Sequence, residues 1–221
     1  MMPKVIKIVD LSQNLDEQTQ VYPGDPHPTF EPTATIENHG YNILQVCMGS
    51  QSGTHADAPY HFIQEGKTIE ACDLSLFVGE GIIISVLDRK PHQPILLKDV
   101  SPYLPQMEPG KIVIFHTGWS KYNRTDQYYE HPYLSVEAAK AILDRGIRTF
   151  ALDAINIDDT GTNEYPVHHL ILGEDGIIIE NLTNLAAIDF HRPFLSLLPL
   201  KMTGADGAPM RAVALQFAEI D

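Results

Sequence analysis

Residues 51–62 read Gln-Ser-Gly-Thr-His-Ala-Asp-Ala-Pro-Tyr-His-Phe and set His55, Asp57 and His61 within seven positions, punctuated by Gly53 and Pro59. Imidazoles and a carboxylate at that density suit a metal site or an acid/base pair; the competing reading is a loop whose His and Asp hydrogen-bond only to their surroundings. Gln51, Gly53, His55, Asp57 and His61 all occupy odd positions. Side chains on an extended chain alternate with period two, so a strand would gather them on one face. A helix would pair Gln51 with His55 but turn Asp57 aside, and neither Gly53 nor Pro59 suits a helix interior. The spacing predicts a strand that ends at Pro59.

Two further segments add donors. Glu180 lies in Gly176-Ile-Ile-Ile-Glu-Asn-Leu182, whose β-branched apolar run reads as a buried strand. An ionised carboxylate in such a place needs a proton, a salt bridge or a cation, because isolation there costs several kcal/mol. In Tyr165-Pro-Val-His-His169, Pro166 is placed to open a short helix with His168 or His169 in its first turn. Only one of the two adjacent imidazoles can face a site; the other packs or caps. Histidines with carboxylates suit a first-row divalent ion rather than a thiolate site, which sets Cys47 and Cys72 outside the ligand set.

Ser52-Gly-Thr-His-Ala-Asp-Ala-Pro-Tyr-His-Phe62 resembles the signature of the cyclase family that includes bacterial kynurenine formamidases, the arylformamidases of tryptophan breakdown. The resemblance runs nearly the whole length. Val21-Tyr-Pro-Gly-Asp25 matches an early substrate-side motif, Pro166-Val-His168 and Glu180-Asn-Leu182 match late ligands, and Leu198-Pro-Leu-Lys201 with Gly204-Ala-Asp-Gly207 matches the C-terminal segment. The 12-residue separation of His168 and Glu180 fits the family pattern and selects His168 over His169. The resemblance implies a divalent metal site of one or two ions per subunit, zinc or manganese. In it Asp57 and Glu180 bridge, His55 and His168 serve one ion each, and His61 is the general acid/base. It also implies a compact swivelling β/β/α fold, and a homodimer or homotetramer whose pockets include residues from a neighbouring subunit.

The chain departs from the family pattern at two places. Gln51 stands where the family's first metal-ligating histidine is usual; an amide oxygen is a harder, weaker donor than imidazole, so the site leans toward manganese or one tightly held ion, with zinc held less firmly. Tyr22 stands where the formamidases carry a tryptophan that packs on the aromatic substrate, so a flat face is kept and a hydroxyl added. The implied chemistry is hydrolysis of a small amide, with N-formylkynurenine as the family-implied substrate. An imidazole titrating near ~6.5 can take a proton from water and return it to the leaving nitrogen. The alternatives are a hydrolase of another small carbonyl compound, such as a cyclic amide, and a degenerate metal-free module that binds a small ligand.

No GxSxG elbow, P-loop or GxGxxG fingerprint occurs, which removes the usual anchors of serine hydrolases, nucleotidases and dehydrogenases. The 221 residues, 43% hydrophobic, are enough for one domain over 1–221 with a sizeable core. A formal charge of −14 argues against nucleic acid or an anionic membrane as partner. No apolar run approaches a membrane span, the first residues lack a signal-peptide pattern, and two unpatterned cysteines fit a reducing cytoplasm; a cytoplasmic location is expected.

The elements that must position these residues are mostly strands, read over Val5–Val9, Ile43–Met48, Ile82–Leu87, Ile112–Phe115, Thr149–Leu152, Ile177–Ile179 and Arg211–Phe217. The clearest helix starts after the N-cap Ser135 and is closed by Gly146. The Pro-rich patches 22–32 and 91–109 read as loops. The fold class expected is α/β, a single domain with a mixed sheet. Asp153, Asp158 and Asp159 read as solvated turn acids, Asp206 as a turn residue between glycines, and His116 and Trp119 as core or pocket wall.

Overall fold

The computed structural model describes residues 3–218. In chain order its strands are β1 (Val5–Asp10), β2 (Thr29–Ala34), β3 (Ile43–Cys47), β4 (His55–Asp57), β5 (Val78–Ser85), β6 (Pro94–Ile95), β7 (Ile112–His116), β8 (Tyr133–Leu134), β9 (Thr149–Leu152), β10 (Ile177–Glu180), β11 (Phe194–Ser196), β12 (Gly207–Pro209) and β13 (Val213–Phe217). The helices are α1 (Ile36–His39), α2 (Leu97–Val100), α3 (Val136–Leu143) and α4 (Pro166–Gly173).

Nine strands form one mixed sheet in the order β1-β13-β11-β5-β7-β9-β10-β4-β12. Its centre, β5-β7-β9-β10, is parallel, and the flanking pairs are antiparallel. Strands buried on both faces read as unbroken apolar runs, which is why β7, β9 and β10 were legible. Alternate residues feed two cores. Val113, Phe115, Phe150, Leu152 and Ile178 pack with α3 and α4 on one face, while Ile112, Ile114, Ala151, Ile177 and Ile179 pack with Ala56, Ala208 and Ala214 on the other. The α/β fold with a mixed sheet is thus the one the chain adopts.

Several local expectations are corrected. The strand expected over 51–59 is confined to His55–Asp57, because Gly53 takes a left-handed φ of 65° that breaks the alternation and leaves Gln51 in a turn. Pro59 then opens a 3₁₀ turn over Pro59–His61, whose His61 N–H donates to the Ala58 carbonyl at 2.9 Å. β5 begins at Val78 rather than Ile82. Gly79 and Gly81, which look like breakers, are where neighbouring chain comes close: a Cβ would meet the Gly110 carbonyl at 2.4 Å and Leu195 at 2.8 Å. β13 starts at Val213, two residues later than expected. The Pro-rich patches hold β2, β6 and α2 as well as loop. Ser135 does cap α3, its side chain accepting from the Ala138 N–H, but the helix ends at Leu143 and Gly146 turns the chain beyond it at φ 84°. β2 and β3 form a separate hairpin, and every residue of β3 is exposed. Among the described residues no helix is long and apolar enough to cross a membrane.

Candidate metal centre and active site

The sheet register brings the first donors together. β4 runs antiparallel to β10 with His55 opposite Glu180 and Asp57 opposite Ile178. Directly opposed residues share a face, so His55, Asp57 and Glu180 all lie on the side where Ile178 meets α4. His168, in the first turn of α4 behind Pro166, comes down onto the same side, while His169 is exposed. All four donors are buried.

Each carboxylate is shared between the two imidazoles. Asp57 Oδ1 lies 3.2 Å from His55 Nε2 and Oδ2 3.6 Å from His168 Nε2. Glu180 Oε2 lies 3.7 Å from His55 Nε2 and Oε1 3.6 Å from His168 Nε2. Both rings are anchored through the other nitrogen: His55 Nδ1 donates to the Gly53 carbonyl at 2.7 Å and His168 Nδ1 to Asp158 Oδ2 at 2.8 Å. That anchoring turns Nε2 of each ring toward the carboxylates, the tautomer a metal-ligating histidine needs. Glu180 Oε1 also accepts from the Ile157 N–H at 2.8 Å.

The electrostatics couple two buried carboxylates to two buried imidazoles. Burial pushes the Asp57 carboxyl up, but the His168 and His55 imidazoles facing it hold it far below the usual range. Burial and the Asp57 charge push Glu180 up to about 7, against the pull of His168 and His55. Burial lowers both imidazoles, yet the carboxylates overrule it, raising His55 to about 9 and His168 to about 10. The fit to a divalent cation rests on a further observation: the buried Asp57 Oδ1 and Oδ2 make no well-formed hydrogen bond and face only the two imidazole Nε2 atoms, and Gln51 Oε1 is a buried acceptor with no hydrogen-bond donor. His55, Asp57 and Glu180 each offer an atom within 4.8 Å of the others. Oxygen and imidazole donors of this kind suit zinc or manganese.

His61 stands beside this group with its ring 6.1 Å from that of His168. Its Nδ1 lies 2.9 Å from Asp206 Oδ2, leaving Nε2 as the open nitrogen. Burial lowers its pKa, but the Asp206 hydrogen bond prevails and raises it above the ordinary value. Gln51 donates from Nε2 to the same Asp206 oxygen at 2.8 Å. A cavity of ≈ 410 Å³ opens over the site, walled by Tyr22, Phe62 and Tyr165 with Asp25 among its lining. The Tyr22 and Tyr165 hydroxyls lie 3.2 Å apart, and the Phe62 ring is 5.2 Å from Tyr165 and 4.6 Å from His168.

Two residues set aside in the sequence prove central. Asp158 is 2% exposed, not solvated, and orients His168; Asp206 is half-buried and holds His61. The signal for Asp206 was its place in the matched Gly204–Gly207 segment, whereas nothing in the spacing marks Asp158. Asp153 is also buried, accepting from the Thr117 and Gly118 N–H groups, and Asp159 pairs with His92 at 2.7 Å. His116 is not among the cavity's lining residues and Trp119 is core.

The chain matches the family described as Putative cyclase over residues 9–159, more than half its length. It is 31% identical over 213 residues to a kynurenine formamidase of Geobacillus thermodenitrificans, covering 92% of this chain and 95% of that one. Among solved structures, an isatin hydrolase bound to a product analogue superposes with a TM-score of 0.87 at 19% identity, covering 96% and 93% of the two chains, a likeness of fold. A protein described as a potential metal-dependent hydrolase with cyclase activity superposes at 0.79 with 27% identity, covering 95% and 97%. The protein with this shared-carboxylate centre belongs to the putative cyclase family and is an enzyme of the hydrolase class.

Proposed function

We propose that the chain is a metal-dependent amidohydrolase of small aryl formamides, with N-formylkynurenine as the leading substrate and kynurenine and formate as products. The observation that carries this reading is the sharing of Asp57 and Glu180 between His55 and His168 beneath a cavity walled by Tyr22, Phe62 and Tyr165. The kynurenine formamidase kinship supports the substrate.

His55, Asp57, His168 and Glu180, with Gln51 as a weaker oxygen donor, would hold one or two zinc or manganese ions. When bound, such a cation supplies Lewis-acid polarisation of the substrate carbonyl and makes water more acidic. His61 Nε2 takes the proton released as water adds to the carbonyl carbon, and returns it to the nitrogen as the C–N bond breaks. Asp206 stabilises the charge His61 carries between the two transfers. General acid/base catalysis of this kind contributes on the order of 10²–10⁴-fold. Tyr22, Phe62 and Tyr165 provide faces for an aromatic ring, an offset or edge contact worth about 1 kcal/mol each.

The protein acts as a homodimer or homotetramer in this reading, which the exposed apolar β2–β3 hairpin supports. The test is hydrolysis of N-formylkynurenine, with isatin as a cyclic-amide comparison, by metal-stripped protein reloaded separately with zinc and manganese. Metal-dependent turnover of the formamide that disappears in His61→Ala supports the reading. Turnover of the cyclic amide alone moves the substrate, and turnover of neither by metal-loaded protein overturns it.

A further inference from the structure

Among the described residues, Asp206 is the one carboxylate that hydrogen-bonds both the acid/base histidine and the altered ligand position. Its Oδ1 accepts from Ser50 Oγ–H at 2.7 Å; its Oδ2 accepts from Gln51 Nε2–H at 2.8 Å and from His61 Nδ1–H at 2.9 Å. The backbone beneath it is pinned, with the Asp206 carbonyl accepting from the Ala58 N–H and the Ala205 carbonyl from the Ile69 N–H, both at 2.9 Å. Gly207, next in sequence, leaves room for the Gln51 amide, since a Cβ there would lie 2.7 Å from Nε2 and 2.8 Å from Oε1.

An ionised carboxylate accepts and does not donate, so this geometry decides two otherwise ambiguous choices. The Gln51 amide must put its nitrogen on Asp206, which turns Oε1 away, and that oxygen is buried without a partner. The His61 ring must carry its proton on Nδ1, which leaves Nε2 as the lone-pair nitrogen. The 3.2 Å separation of Gln51 Nε2 and His61 Nδ1 is then the spacing of two donors converging on one anion. A charge-assisted bond at an amide nitrogen also shifts electron density onto the amide oxygen, strengthening a donor that is otherwise weaker than imidazole.

We propose that Asp206 is a positioning residue with two outputs: it fixes the Gln51 amide so that Oε1 is offered to a divalent cation, and it fixes the His61 tautomer so that Nε2 exchanges protons with the reacting groups. The proposal rests on the hydrolytic reading above, but each output has a readout that needs no substrate. Outer partners of ligands typically alter metal affinity by about 10–100-fold.

The experiment uses the full chain with ¹⁵N-labelled histidine, as wild type, Asp206→Ala, Gln51→Ala, the double variant and the milder Ser50→Ala. Ring-nitrogen spectra of the metal-free protein, at alkaline pH where the ring is neutral, should show His61 protonated on Nδ1 in wild type and shifted toward Nε2 protonation in Asp206→Ala. Manganese binding by equilibrium dialysis should weaken about 10–100-fold in Asp206→Ala and in Gln51→Ala, with little further loss in the double variant. Ser50→Ala should move both readouts less and in the same direction, which keeps the test decisive if Asp206→Ala fails to fold. An unchanged tautomer, an unchanged manganese affinity or additive losses in a folded variant overturn the proposal. A wild type that turns over no formamide would overturn the functional reading instead and leave these two readouts standing.

Discussion

Asp158 holds His168 twice through one oxygen: Oδ2 accepts the backbone N–H at 2.9 Å and the ring Nδ1–H at 2.8 Å, while Oδ1 takes the Val167 N–H at 3.0 Å. The carboxylate therefore caps the first turn of α4 and aims its imidazole with the same atoms. Near the positive end of a helix an anion is favoured, so capping and aiming reinforce each other. Asp158→Asn should leave the fold intact and weaken the ion held by His168 by about 10–100-fold, read as the metal retained after dialysis against a graded chelator. Retention at the wild-type level would show that the ring needs no such anchor.

Metal uptake should release protons. In the metal-free protein the imidazoles of His55 and His168 are raised to about 9 and about 10, so both are protonated at neutral pH. Binding a cation requires each Nε2 lone pair and an ionised Glu180, itself raised to about 7, so filling both positions at pH 7 should expel about two protons from the imidazoles and about half of one from Glu180, seen as acidification of an unbuffered indicator solution. Apparent affinity should climb with pH and level off above about 9 to 10. Affinity independent of pH between 7 and 9 would exclude these imidazoles as ligands.

Away from the site, His131 makes stability fall in acid. Burial lowers its pKa to about 4, against the weaker pull of its bond to the Pro132 carbonyl and of the Asp159 charge. Its ring is built in neutral form, Nδ1 donating to Pro132 O at 2.9 Å and Nε2 accepting from Thr160 Oγ–H at 2.6 Å. The unfolded chain protonates near 6.5 and the folded one near 4. Stability is therefore unaffected above pH 6.5 and declines as pH falls through that interval, by roughly 3 kcal/mol in all. Denaturant titrations of wild type and His131→Gln across pH 4–7 should show a shallower slope in the variant.

The β2–β3 hairpin should be an interface between copies of this chain. Ile43 and Leu44 are 51% and 53% exposed, and Ile36, Tyr41 and Val46 extend the apolar surface. A two-stranded hairpin with little packed against it is marginal in water, so a covering partner would stabilise it. Light scattering after gel filtration should give a multiple of the 24.6 kDa chain mass for wild type and a smaller species for Leu44→Glu. A wild-type monomer would remove the hairpin from this role.

Tyr22 should act on substrate capture more than on turnover. Its ring walls the cavity and its hydroxyl meets that of Tyr165 at 3.2 Å. Tyr22→Ala should raise KM about fivefold to tenfold for an aryl formamide with a smaller change in kcat, in line with about 1 kcal/mol of aromatic contact. Tyr22→Phe keeps the face and should stay within about twofold.

What could be read from sequence followed how local each signal is. His55 and Asp57 share a face because period two is a property of the strand itself, and Glu180 stood out as a carboxylate among isoleucines. The same alternation misplaced Gln51, since one left-handed glycine resets it. Asp158 and Asp206 were set aside because an aspartate in a turn looks the same whether water or a histidine 10 or 145 positions away receives it. β3 was legible as a strand but not as an exposed one, because apolar composition reports preference for burial and not the presence of a partner.

β4, which carries His55 and Asp57, sits in the sheet between β10 and β12, strands made more than a hundred residues later. A growing chain therefore holds its donor segment without either neighbour until residue 180 is made, and without Asp206 for longer still. Such long closures make folding slow. Nascent chains stalled before Gly204 would carry the four principal donors yet lack the residue that orients His61, so the centre should acquire its metal-binding residues before its proton-transfer geometry.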